Sequence, residues 1–267
     1  MLIDTHCHLD APEFNHDRKN IVAEALHAGV QAIVIPAVMH GNFAAVQALQ
    51  AQYPTCCAMA LGIHPLYVDQ SAPEDIKSLA DNIARQRDRL VAVGEIGLDF
   101  FVQDYDRERQ EFFFIEQLKL ARDYELPVLL HVRRSVDQVL KQVRRFKVCG
   151  VAHAFNGSRQ QAEEFIKLGF KLGFGGAMTY DRALKIRTLA RELPLEALVL
   201  ETDAPDIPPS WLGHHGRNQP AELKRIAEVL AEIRGCDTAT IASMTTQNAL
   251  DILPGLSDLF TSPQVSL

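Results

Sequence analysis

The chain has 267 residues, with 27 Lys and Arg against 34 Asp and Glu for a formal charge of −7, and 47% of its residues are hydrophobic against 23% charged. This ordinary globular composition excludes a protein that grips polyanions by bulk positive charge, so a nucleic acid must be held by a local patch or through metal. Apolar runs such as Cys56–Leu61 are far shorter than the roughly 20 residues of a spanning helix, and the first ten residues carry Asp4, His6, His8 and Asp10 where a signal peptide would be basic and then apolar.

Five cysteines without C-x-x-C spacing argue against a disulfide framework or a thiolate zinc site. A cytoplasmic protein without membrane contact is expected.

In chain order, short apolar, β-branched runs alternate with amphipathic stretches. Strands are predicted at Leu2–His6, Gln31–Pro36, Cys56–Gly62, Leu90–Glu95, Pro127–His131, Val148–His153, Phe170–Gly175 and Ala197–Asp203. Helices are predicted between and after them near 17–28, 42–52, 73–86, 106–124, 135–146, 158–168, 180–192 and 220–235. Eight strand–helix pairs, with strands apolar throughout as in a covered parallel sheet, predict a single-domain α/β protein with a TIM (β/α)8 barrel over 1–253. An open doubly wound sheet is the alternative, because counting strands does not show closure. A further helix is expected near 237–252, and the tail 254–267, with two prolines and a glycine, is expected to be loosely ordered.

What ends the strands is the informative feature. His6 with His8, Glu95, His131, His153 and Asp203 stand at predicted strand ends, and in a parallel barrel all such ends open on one face. His6-x-His8 puts both imidazoles on one side of an extended strand, converging with Asp4, which suits a metal; alone, the pair fits a hydrogen-bonded strand end equally well. Four imidazoles and two carboxylates together weaken that alternative. Buried anions need balancing cations, and no Lys or Arg lies in the strands that carry Glu95 and Asp203. Six ligands exceed the need of one tetrahedral ion and suit two divalent ions about 3.5–4 Å apart sharing a nucleophile. Glu95 can offer one oxygen to each metal, and no lysine stands there to form a carbamylated bridge. With a bridging hydroxide and neutral imidazoles such a site is net positive, and it prefers an anionic substrate.

These residues occur in Asp4-Thr-His-Cys-His8, Gly62-Ile-His-Pro65, Gly94-Glu-Ile-Gly-Leu-Asp99, His131 with Arg133, His153-Ala-Phe-Asn-Gly157, Glu201-Thr-Asp-Ala-Pro205 and Arg217-Asn218. From residue 2 to about 252 the sequence resembles the TatD family of metal-dependent hydrolases, in its YjjV-like branch, within the amidohydrolase superfamily. The resemblance implies a TIM barrel, a dinuclear divalent-metal site and deoxyribonuclease activity. It implies that His6, His8, Glu95 and Asp203 bind one metal and that Glu95, His131 and His153 bind the other. Phe100 and Phe101 depart from the tyrosine common in the family after Gly-Leu-Asp, and the loop Pro208–His215 is unmatched.

Other candidates surround this set. His64, at the same mouth, is expected to face substrate rather than pack at a strand end. Asp99 could hold a ligand imidazole through its second nitrogen, or cap a turn. Arg133 to Lys147 carries six Lys and Arg against Asp137 alone. Most of this segment is a solvated helix face, whereas Arg133 and Arg134 follow His131 and could bind phosphate. Ser158 reads as an N-cap, and Gly173, Gly175 and Gly176 permit close backbone approach, a common phosphate site in barrels. Trp211, Phe100, Phe101 and Tyr180 could stack bases or pack loops.

No Walker or Rossmann pattern occurs, so no nucleotide cofactor is expected, and no obligate protein partner is implied. The expected activity is that of a divalent-metal-dependent (Zn2+, Mg2+ or Mn2+) deoxyribonuclease acting on DNA or another phosphodiester, with a two-metal-activated hydroxide as nucleophile and Glu95 and Asp203 as catalytic groups. The alternative is an amide, ester or lactone hydrolase on the same dinuclear site. Retention of all six candidate ligands argues against a barrel that has lost its chemistry.

Overall fold

A computed structural model describes residues 1–261. Its strands are β1 (Leu2–Asp4), β2 (Val30–Pro36), β3 (Cys57–Leu61), β4 (Leu90–Asp99), β5 (Val128–Arg133), β6 (Gly150–Ala152), β7 (Lys171–Phe174) and β8 (Leu198–Leu200). They form one sheet in sequence order, every neighbouring pair parallel. At the seam, the Thr5 backbone N–H and hydroxyl both donate to Leu200 O (3.1 and 3.0 Å), and the Asp203 N–H donates to His6 O (2.9 Å). The sheet is thus a nearly closed barrel, the TIM architecture expected from the alternation.

Helices α1 (Arg18–His27), α2 (Phe43–Gln52), α3 (Glu74–Gln86), α4 (Arg107–Asp123), α5 (Val136–Phe146), α6 (Arg159–Lys167), α7 (Leu184–Glu192) and α8 (Leu223–Arg234) follow the strands in turn. Their apolar positions face the sheet, as Val139, Leu140, Val143 and Phe146 do on α5. Ser158 is the N-cap of α6: its hydroxyl accepts from Gln161 N–H (3.2 Å), and Gln161 Oε1 accepts from Ser158 N–H (2.8 Å).

Alternation along each strand divides the core in two. Ile33, Ile35, Met59, Leu61, Leu130 and Leu172 pack outward with the helices. Ile3, Ala32, Val34, Ala58, Ala60, Leu129, Val151 and Val199 form a second cluster with Ala249 and Ile252 of α9 (Thr238–Ile252) and with Leu253 and Leu256. The tail therefore departs from expectation. Pro254–Ser257 is a 3-10 turn and Asp258–Thr261 a short helix, α10, because Leu256 is needed to fill this cluster and is fully buried. The rest of the expected loose tail lies outside the described residues. All five cysteines are free, and no helix of the described residues is long and apolar enough to cross a membrane.

Candidate active site

The inward alternation carries on along β5 and past the ends of β6 and β8 into the chemistry. His131, His153 and Glu201 stand two residues beyond the inward-facing Leu129, Val151 and Val199. The acids do not mark strand ends as the sequence suggests. Glu95 lies within β4, which runs on to Asp99, and Asp203 lies three residues past the end of β8. Gly97 lets β4 continue: its φ is +153°, and a Cβ there would sit 1.9 Å from His131 O.

Glu95, 1% exposed, is the hub. Its Oε2 faces His6 Nε2 (3.3 Å) and His8 Nε2 (3.5 Å). Its Oε1 faces His131 Nδ1 (3.1 Å), His153 Nε2 (3.2 Å) and His64 Nε2 (3.4 Å). Asp203 Oδ1 lies 3.5 Å from both His6 Nε2 and His8 Nε2, and those two nitrogens are 3.4 Å apart. A tetrahedral cation with ligands about 2.0–2.1 Å away has ligand–ligand edges of about 3.3–3.4 Å. The His6–His8 separation, and those of Glu95 Oε2 and Asp203 Oδ1 from both rings, match those edges, so these donors fit a divalent ion, and the Oε1 side offers a second set of nitrogens. Because a cation held here stabilises only the folded chain, loading at a hundred times its Kd is expected to add about 2.7 kcal/mol of stability. Thermal denaturation with and without chelator checks this.

Burial alone would push the Glu95 carboxyl up, but His64, His6, His153 and the His131 hydrogen bond hold it well below the usual range. Burial lowers His6 to about 3 and His64 to about 4, keeping both neutral. Burial also opposes charge on His131 and His153, yet the first is raised by Asp99 and Glu95 and the second well raised by Glu95 and Asp203. Asp203 is lifted to about 6, chiefly by burial, against His153 and His8. Its φ of +56° is one that Asp and Asn tolerate.

His64 differs from the other four imidazoles. Its Nδ1 accepts the Leu66 N–H (3.1 Å), so in the neutral ring the proton sits on Nε2, which faces Glu95 as a donor and not as a ligand. Two glutamines seven residues apart on α4 steady this region. Gln117 accepts from Ile63 N–H (2.6 Å) and donates to Ile63 O (2.9 Å), fixing the backbone beside His64. Gln110 does the same to Asp99 (2.9 and 3.0 Å). Asp99 in turn accepts from His131 Nε2 at 2.8 Å, the ring-holding contact and not a turn cap alone.

Asp4 does not converge with the histidines. Its carboxylate accepts from Thr202 N–H (2.9 Å) and from the Thr202 hydroxyl (2.6 Å), fixing the turn that carries Asp203. The glycines in and after β7 admit protein and not phosphate: a Cβ at Gly173 would lie 2.1 Å from Glu201 Oε2, and one at Gly176 2.1 Å from Ile207 O. Arg133, its side chain 50% exposed, lies with its guanidinium 3.7 Å over Phe101 and 4.0 Å from Asp99. Of Trp211, Phe100, Phe101 and Tyr180, it is Phe101, 44% exposed and also beneath Arg134, that is left open to solvent. Phe100 stacks on Tyr105, Tyr180 stacks on His214, and Trp211 donates to Glu222 (2.6 Å) under Arg225.

Reading strand ends alone misses Glu201, buried behind His153, although its place two residues before Asp203 in an extended segment was a usable signal. It also misses Gln110 and Gln117, whose seven-residue spacing puts two amides on the buried face of α4.

Residues 3–254 match the family of TatD-related DNases. The chain is 45% identical over 235 residues to the uncharacterized metal-dependent hydrolase YjjV of Escherichia coli (strain K12), covering 87% of this chain and 90% of that one. It is 33% identical over 273 residues to the deoxyribonuclease TATDN3 of Homo sapiens, covering 97% and 96%. The crystal structure of the TatD homologue YjjV from Escherichia coli K12 superposes with a TM-score of 0.90 at 42% identity, covering 95% of this chain and 98% of that one. A barrel mouth lined by imidazoles around one shared carboxylate, and similarity over nearly the whole length, place the chain in the TatD family of metal-dependent hydrolases.

Proposed function

We propose that this protein is a deoxyribonuclease that hydrolyses phosphodiester bonds with two divalent ions. On this reading one ion is held by His6, His8, Glu95 and Asp203, and the other by Glu95, His131 and His153. The observation that carries it is the division of Glu95: each carboxylate oxygen faces its own set of nitrogens, 3.3–3.5 Å away on one side and 3.1–3.4 Å on the other. The human relative named a deoxyribonuclease supports DNA as the substrate.

Bound there, the ions would supply Lewis acidity at the phosphoryl oxygens and a more acidic water as nucleophile. The chain's own residues do the rest. Asp203 accepts the nucleophile's proton on its carboxylate, and its side chain, 13% exposed against 2% for Glu95, lets that proton pass to solvent. His64 presents its Nε2–H as a neutral donor to a phosphate or leaving-group oxygen. Arg133, beside Phe101, meets a phosphate of the strand.

Assays of the metal-loaded protein on end-labelled oligonucleotides, with amide, ester and lactone substrates in parallel, test the reading. Turnover of the carbonyl substrates alone would replace it. Arg133→Ala is expected to raise KM for an oligonucleotide far more than for bis-p-nitrophenyl phosphate, and to make the salt dependence of binding shallower by about one ion. KM and salt slopes measured side by side check this. With a net charge of −7 the chain supplies little background attraction to hide the loss.

A further inference from the structure

The two imidazoles nearest Glu95 Oε1 are mounted in opposite senses. His131 turns Nδ1 to Glu95 and Nε2 to Asp99. His153 turns Nε2 to Glu95 (3.2 Å) and Nδ1 to Glu201 Oε1 (3.5 Å). Glu201 is 1% exposed, and among the described residues His153 is its one ion-pair partner. Oε1 accepts the Ala154 N–H at 2.5 Å, and Gly173 leaves the space for Oε2. Both Glu201 Oε2 and His153 Nδ1 are buried without a hydrogen-bond partner. A carboxylate is costly to bury beside a single backbone donor, so its place behind the ring calls for a reason. His6 Nδ1 is likewise buried without a hydrogen-bond partner, and among the described residues no carboxylate is paired with it as Glu201 is with His153 Nδ1.

We propose that Glu201 is a positioning residue that keeps the proton of His153 on Nδ1, leaving the Nε2 lone pair free for a metal ion held against Glu95. This rests on the reading that His153 is a metal ligand. A neutral imidazole carries its proton on either nitrogen, and on Nε2 that proton would hydrogen-bond Glu95 Oε1 and close the position to a cation. Glu201 competes for the same proton from the other side of the ring, so its carboxylate decides which nitrogen stays free. An acid behind a ligand imidazole also raises its basicity toward the metal.

The test uses Zn2+ and the full chain. Nitrogen-15 NMR of the zinc-loaded wild-type protein should show His153 protonated at Nδ1, with Nε2 shifted by metal; a proton on Nε2 would overturn the proposal whether or not any variant folds. In chelator competition, Glu201→Ala should weaken one of two zinc equivalents by about 10–100-fold and leave the other unchanged. Glu201→Gln, whose carbonyl oxygen can accept the Nδ1–H, should recover much of that loss, which a purely structural role would not produce. A folded Glu201→Ala protein with both wild-type affinities defeats the role of Glu201, provided His153→Ala loses an equivalent. If His153→Ala also keeps both, the ligand assignment itself has failed, and the proposal falls with it.

Discussion

Glu95→Gln is expected to remove at least one metal equivalent and to lower turnover by more than about 10³-fold, the scale of losing a preorganised electrostatic element of a transition state. Among the described residues Glu95 is the only carboxylate whose two oxygens face the two nitrogen sets separately. Glutamine fills the same volume but offers one carbonyl oxygen and one NH2, so whichever way it turns, one set of imidazoles faces a donor in place of an anion. Metal content by mass spectrometry, turnover and circular dichroism on one preparation decide the matter. A folded variant with full metal content and turnover within tenfold of wild type would remove Glu95 from the centre of the site.

Asp203→Asn is expected to lower kcat by about 10²–10⁴-fold, the usual worth of a positioned acid or base. The substitution is chosen for its backbone. At φ +56° alanine would add strain, whereas asparagine occupies the left-handed region nearly as readily as aspartate, so the loss reports chemistry and not a disturbed turn. The turn is held independently, since Asp4 fixes Thr202 and Asn218 Nδ2 donates to Thr202 O at 2.8 Å. An amide cannot take the nucleophile's proton. Steady-state kinetics at saturating metal, where the weaker ligand no longer limits occupancy, check the effect, and a kcat within threefold of wild type would rule out Asp203 as the base.

The barrel was legible in the sequence because a parallel strand buried on both faces must be apolar throughout, and each helix must show one apolar stripe; both patterns are local. His6, His8, Glu95, His131, His153 and Asp203 stood out for the complementary reason, that a polar side chain in or just beyond an apolar strand has no place in a core. Orientation was not legible. Asp4 looks like a partner of the histidines in one dimension, and only the β1–β8 seam turns its carboxylate to Thr202. Gly173, Gly175 and Gly176 look like a phosphate cradle until Glu201, just past β8, and Ile207 are seen to need their space. His64 is expected from its position to face substrate, but only the Leu66 N–H shows which of its nitrogens carries the proton. Leu256 sits in a stretch with two prolines and a glycine, yet the inner cluster buries it. Alternation and burial are properties of a segment and can be read along the chain. The direction of a proton, the partner of a carboxylate and the filling of a space are set by contacts between residues up to 198 positions apart, and those exist only after folding.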